Sequence, residues 1–326
     1  MGYQVYTNDE ISQSPTWSAS TKLLPYASES AGYGRFRALA ANARVTWKQV
    51  SSRDIVILTD SHGSSGSLYG FLARGLRLRP TIVLTDPYIL ANGWLHVKYL
   101  QTALSAVDLM IVWSPDTCCR YARRLGIPPT KIVAERFHHT LRGYENVSVQ
   151  NGDYIFSGGD SMRDYATLLK SVDGLNVPVV VATRLKLDSR LNVPKNVTVG
   201  PVSSAEFRQL MAGAALVVLP LNTSALRSSG QQSFLNAMAL GKAVIVTDTR
   251  DAPFYIENDV TGLCTPSGDS DALRTAIIRL IGSPERIRKM GEAAKLAAAP
   301  LDQEYTWSRV LAHALECHER RLSRGT

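Results

Sequence analysis

A chain of 326 residues with 45% hydrophobic and 20% charged residues holds enough apolar material for two packed cores and is too apolar for a disordered polymer. The longest apolar runs, such as 212–221 and 82–84, are too short to cross a bilayer, and residues 1–23 are polar, so neither a spanning segment nor a leader is expected. The formal charge is +8, with 16 Lys/Arg against 10 Asp/Glu in residues 1–150 and 20 against 18 in the remainder.

In chain order, the opening (3–33) is rich in Ser, Tyr, Asn and Pro and reads as irregular, with a turn at Tyr33-Gly34-Arg35 before a helix. Buried strands then follow at 54–59, 81–85 and 109–113, with a short one within 128–135. Between them lie a basic helix at 68–78, a helix near 95–105 and a helix over 116–125 that Asp116 is expected to cap. Arg74, Arg77, Arg120 and Arg123 contribute to the basic excess, which suits either an anionic membrane surface, an acidic acceptor or a solvated face. No aromatic-basic motif of a nucleic-acid module is present, so nucleic acid is not an expected partner. Cys118, Cys119, Cys264 and Cys317 lack metal-ligand spacing, and the adjacent pair suits a reduced protein. A cytoplasmic location follows as the expectation, with association at the inner membrane face as its extension.

Residues 142–152 are polar and read as a linker. A second alternating set begins with a strand at 153–157, the pair Gly158-Gly159 and a helix from about Asp164. Strands at 179–183, 197–199 and 216–219 and a helix at 206–211 follow, and amphipathic helices at 272–281 and 284–298 precede a last helix opening near Thr306. The most informative stretch lies between: Ser228-Ser229-Gly230-Gln231-Gln232-Ser233, a helix ending at Gly241, then the strand Ala243-Val244-Ile245-Val246-Thr247. Ser and Gly at a helix entrance leave backbone N–H groups free beside the positive end of the helix dipole, a geometry that binds phosphate.

That stretch, with Asn236-Ala237-Met238-Ala239-Leu240-Gly241-Lys242, the run Ile256-Glu257-Asn258-Asp259-Val260-Thr261-Gly262-Leu263 and Thr265-Pro266-Ser267-Gly268-Asp269, resembles the sugar-nucleotide half of GT-B glycosyltransferases. The likeness is to the retaining branch with a Glu-x7-Glu pair, whose two acids are here Ser228 and Asn236. Arg227-Ser228-Ser229-Gly230 with Asn236 six residues on is also similar to a run in inverting enzymes. The resemblance implies an α/β chain of two facing Rossmann-like domains: 1–145 on the acceptor side, with a trimmed opening, 146–305 for the nucleotide sugar, and a helix at 306–326 that crosses back to the first.

It further implies a donor diphosphate held by Gly158, Gly159, Arg163, Ser228, Ser229, Gly230 and Gln231, and a base and ribose met by Arg184, Val202 and Asn236. Arg184 equally suits a salt bridge with Asp188, and Arg163 a surface position at a helix start. Asp86 and His62, each after a strand of the first domain, are the candidate catalytic base, ahead of His96 and His139. No Asp-x-Asp signature of a metal-bridged diphosphate site is read in the chain, so neither a metal nor a bound cofactor is expected, and the nucleotide sugar serves as co-substrate. The expected activity is metal-independent transfer of a sugar to a carbohydrate or lipid-linked acceptor. A nucleotide-sugar-binding protein without catalysis and a sugar-nucleotide epimerase are the alternatives.

Overall fold

The computed structural model describes residues 3–7, 14–24, 48–59, 80–87, 93–141, 144, 147–150, 152–223 and 229–323. His62, Ser228, Arg227, the expected basic helix at 68–78 and the turn at Tyr33-Gly34 lie outside these residues. The chain divides into two compact units, Met1–Glu135 with Glu304–Thr326, and Arg136–Gln303. Residues 136–145 therefore cluster with the second unit.

In the first unit the strands are β1 (Val5–Thr7), β2 (Thr21–Leu23), β3 (Ile55–Thr59), β4 (Thr81–Thr85), β5 (Leu109–Val112) and β6 (Ile132–Ala134). They form one parallel sheet in the order β2-β1-β3-β4-β5-β6. Ile55, Val56 and Ile57 of β3 and Val83 and Leu84 of β4 are inaccessible to solvent, as continuous apolar runs covered on both faces should be. The opening is not irregular throughout. Val5, Tyr6 and Thr7 pair with Ile55, Val56 and Ile57, a three-residue strand too short for its period to show among polar neighbours. Helices α1 (Trp94–Leu104) and α2 (Pro115–Leu125) follow β4 and β5. The cap of α2 is Ser114, whose Oγ accepts from the Thr117 amide at 3.0 Å, while Asp116 sits in the first turn and pairs with Arg120 at 2.8 Å. Pro115 displaces the helix start because proline at the first helical position needs no amide partner.

The second unit holds β7 (Ile155–Gly158), α3 (Tyr165–Val172), β8 (Val179–Ala182), β9 (Val197–Gly200), α4 (Ser204–Gly213), β10 (Leu216–Leu219), α5 (Gln231–Ala239), β11 (Ala243–Thr247), β12 (Leu263–Thr265), α6 (Ser270–Ile281) and α7 (Pro284–Ala298). Its parallel order is β12-β11-β10-β7-β8-β9. The chain runs outward from β7 through β8 and β9, then returns to the other side of β7, so the sheet reverses direction between β7 and β10. Ligands of open α/β sheets bind at the carboxyl ends of strands beside such a reversal. One Asp-x-Asp pair, Asp269-Ser270-Asp271, does exist; it opens α6, where Asp269 Oδ1 accepts from the Asp271 and Ala272 amides at 3.1 and 2.9 Å, which is a helix cap.

Helix α8 (Gln303–Ser323) belongs with the first unit from Glu304 onward. His318 Nδ1 and Thr81 Oγ1 lie 2.7 Å apart, both residues buried, and Arg321 donates to the same hydroxyl at 3.1 Å. Glu135 accepts from Arg309 at 2.9 Å and meets His313 Nε2 at 2.6 Å.

Lys242, between α5 and β11, is 1% exposed, with its ammonium donating to the carbonyls of Gln150 and Ala214. Burial pulls its pKa from 10.5 down to about 8. Between those values the unfolded chain holds a proton that the folded one has released, so this group makes stability rise as pH climbs from about 8. The gap between wild type and Lys242→Met should therefore be constant below pH 8 and shift in favour of wild type by about 2–3 kcal/mol by pH 10, read from urea midpoints. A pH-independent gap would contradict this.

Candidate functional site

At the carboxyl ends of β7, β8 and β9 lies a cavity of about 650 Å³ within the second unit. Three structures bound it: the turn after β7, the N-terminus of α5, and a wall from α4 with the segment around Tyr144.

The turn is built by turning its carbonyls inward. Arg163 Nε donates to Gly158 O at 2.9 Å and its NH1 to Ser161 O at 2.8 Å. The Tyr165 hydroxyl donates to Gly159 O at 2.6 Å, and the Thr183 hydroxyl, 3.1 Å from that oxygen, donates to Asp160 Oδ1 at 2.9 Å. A trans peptide places C=O and N–H on opposite sides, so the Gly159 and Ser161 carbonyls held this way turn the amides of Asp160 and Met162 the other way, while the Gly159 amide is committed to Ala182 O at 3.0 Å. Gly159 has φ +115°, and a Cβ there would lie 2.5 Å from Arg163 NH2, so both the backbone and the close guanidinium require glycine. Met162 also carries a positive φ, 54°, uncommon for a non-glycine residue and a mark of an over-determined turn.

Arg163 is half-buried just before the cap of α3 and does not line the cavity. Burial holds its guanidinium below the ordinary arginine range, with Tyr165 and Asp160 opposing that shift, yet arginine remains protonated. Its NH2 reaches Ser233 Oγ at 2.9 Å. One side chain therefore ties the turn after β7 to the first turn of α5. The helix enters through Gly230 at φ +80°, without a side-chain cap, and a Cβ at Gly230 would sit 2.8 Å from Leu221 Cδ1. An uncapped first turn leaves amides and the positive dipole end available to an anion.

Gly159, Arg184, Val202 and Asn236 line the cavity together. Gly158 and Arg163 lie behind it, and Ser229 and Gln231 are buried at the helix entrance. Arg184 pairs with Asp160 at 2.6 Å, and Asp188 pairs instead with Arg190 at 2.5 Å. Burial would raise the Asp160 carboxyl, but bonds from the Arg184 amide, the Arg184 guanidinium and Thr183 outweigh it and hold it below the usual range. Asn236 is 6% exposed, and its Oδ1 accepts from the Thr140 amide at 2.6 Å while Nδ2 donates to Thr140 Oγ1 at 3.2 Å.

Thr140, Tyr144, Asp160, Ser161, Phe207 and Arg208 join the lining without having been singled out in the sequence, and Ser233 joins it from the stretch that was. Asp160 was adjacent to a glycine pair already noted. Thr140 and Tyr144 come from a stretch without local pattern, and only tertiary packing places them. In the first unit, Asp86 ends β4 with φ +47° and donates its amide to Ile111 O at 2.9 Å. His139 lies in the second unit, its Nδ1 buried, and burial lowers its pKa.

Residues 166–283 match the family described as glycosyl transferases group 1. The second unit's turn, helix entrance and cavity lie in or beside that stretch. The fold is GT-B, and the stretch that matches the group 1 description lies within its second unit. A D-inositol 3-phosphate glycosyltransferase of Segniliparus rotundus is 29% identical over 147 residues, a match spanning 44% of this chain and 30% of that protein. The Anabaena protein HepE, solved with UDP, has a TM-score of 0.68 at 12% identity, covering 99% of both chains. Sucrose-phosphate synthase of Thermosynechococcus elongatus has a TM-score of 0.64 at 18% identity, covering 94% of this chain and 84% of that one. At such identities the structures establish the GT-B fold. Among the described residues, no helix is long and apolar enough to cross a membrane and no His/Cys/Asp/Glu group is set to hold a metal.

Arg163→Lys keeps a charge but cannot reach three acceptors in one plane. The variant should melt several degrees below wild type and lose anion binding at least tenfold, measured by thermal melts and titration calorimetry with a nucleoside diphosphate. Unchanged binding would remove Arg163 from the support of the turn.

Proposed function

We propose that this chain transfers a sugar from a nucleoside-diphosphate sugar, held in the cavity of the second unit, to a carbohydrate or lipid-linked acceptor. The observation that carries the proposal is that the single side chain of Arg163 bonds both Gly158 in the turn after β7 and Ser233 in the first turn of α5, two backbones suited to an anion. The group 1 match over the same region supports it.

In the reaction, the bond from the sugar's anomeric carbon to the diphosphate breaks and its electron pair stays on the diphosphate oxygen. The acceptor hydroxyl oxygen bonds to the anomeric carbon and loses its proton to a base. Negative charge grows on the departing diphosphate, so amides and a helix dipole already aimed at it lower the barrier without reorganising. Asp160 would oppose that charge were it free; its pairing with Arg184 removes most of the repulsion. These groups neutralise the leaving diphosphate by themselves, so turnover is proposed to need no metal. Asp86 is the proposed base, its positive φ being the kind of local strain that clusters at working residues.

Asp86→Asn should keep nucleotide binding and lose transfer by about 10²–10⁴-fold, with wild-type turnover undiminished in EDTA, measured by nucleoside-diphosphate release across an acceptor panel. Binding without release in wild type would favour a nucleotide-sugar-binding protein. Conversion of the nucleotide sugar to an epimer, with no acceptor consumed and no net diphosphate released, would favour an epimerase. Loss in EDTA restored by Mg²⁺ or Mn²⁺ would contradict metal independence.

A further inference from the structure

The cavity is lined by backbone and small polar groups at Gly159, Ser161 and Ser233 and by the apolar and aromatic side chains of Tyr144, Val202, Phe207 and Met211. A diphosphate suits the first kind of lining and a flat base the second. A cation, Arg208, lines the same cavity. It lies one turn into α4, with its guanidinium carbon 5.9 Å from the centroid of the Tyr144 ring. Stacking of that kind holds the plane of the guanidinium without using its N–H groups. Its Nε is buried with no hydrogen-bond partner, and no described carboxylate pairs with it. Arg184, the other arginine at the cavity, is already committed to Asp160. A desolvated donor left unmatched is costly, so its presence here calls for an acceptor supplied from outside the chain.

We propose that Arg208 reads the base of the donor nucleotide and selects bases with a carbonyl oxygen on the presented edge, uracil or guanine, over adenine and cytosine. This rests on the nucleotide-sugar reading above and names the class of donor. Guanidinium has five donors and no acceptor. Guanine offers it O6 beside N7, and uracil offers a carbonyl oxygen. Adenine and cytosine present an amino group there instead, setting N–H against N–H and leaving both unpaired. One well-formed arginine contact of this kind discriminates by about 10- to 100-fold.

Calorimetric titration of the full chain with UDP, GDP, ADP and CDP tests the assignment, in wild type, Arg208→Gln and Arg208→Lys. In wild type, UDP or GDP should bind at least tenfold tighter than both ADP and CDP, and whichever of the two is tighter identifies the base. Arg208→Gln, which offers both a donor and an acceptor, should reduce that ratio at least fivefold without weakening ADP, and Arg208→Lys should retain part of it. Binding of all four with equal affinity, or an unchanged ratio in Arg208→Gln, overturns base selection while leaving the nucleotide site intact. An equal loss on all four in Arg208→Gln makes the guanidinium a counter-charge for phosphate and also overturns it. Failure of all four to bind a wild type that melts cooperatively overturns the proposed function as well.

Discussion

The site depends on one constraint: an amide can face an anion only if the carbonyls of the same turn are satisfied elsewhere. At Gly158-Gly159 that is done from behind, by the Arg163 guanidinium and the Tyr165 hydroxyl. Leaving such carbonyls unmatched in a buried position costs about 1–3 kcal/mol each, comparable to the binding energy that the turn could return. Arg163 therefore acts through the backbone. Its third bond, to Ser233, extends the same constraint to α5, so the two positive backbone sites hold a common geometry.

Charge placement in the cavity follows the same logic. Asp160 and Arg184 neutralise one another, which leaves helix and turn dipoles as the net field there. Asn236 is tied by its carbonyl to the Thr140 amide, which joins 140 to α5 without adding a charge.

Much of the fold was legible because parallel strands buried on both faces are continuous apolar runs. Ile55–Thr59, Thr81–Thr85, Leu216–Leu219 and Ala243–Thr247 stand out for that reason. The three-residue strands Val5–Thr7, Thr21–Leu23 and Leu263–Thr265 did not, since three residues carry no readable period and owe their state to neighbours. The start of α2 was misplaced because Asp116 and Ser114 are both good caps, and only Pro115 between them decides. At the site, glycines and helix entrance were visible locally, and Gly159 and Gly230 hold the positive φ values that their residue type allows. Thr140, Tyr144 and Arg208 were not visible, because their meeting at one cavity is set by packing of segments far apart in sequence.

The most direct test of the central claim is hydrogen–deuterium exchange with and without a saturating nucleoside diphosphate. Amides of Asp160 to Met162 and of Gly230 to Ser233 should slow together, with little change in the sheet core, because the ligand would add acceptors at those groups alone. Binding that leaves both segments unprotected, or protects only residues outside the second unit, would contradict the account.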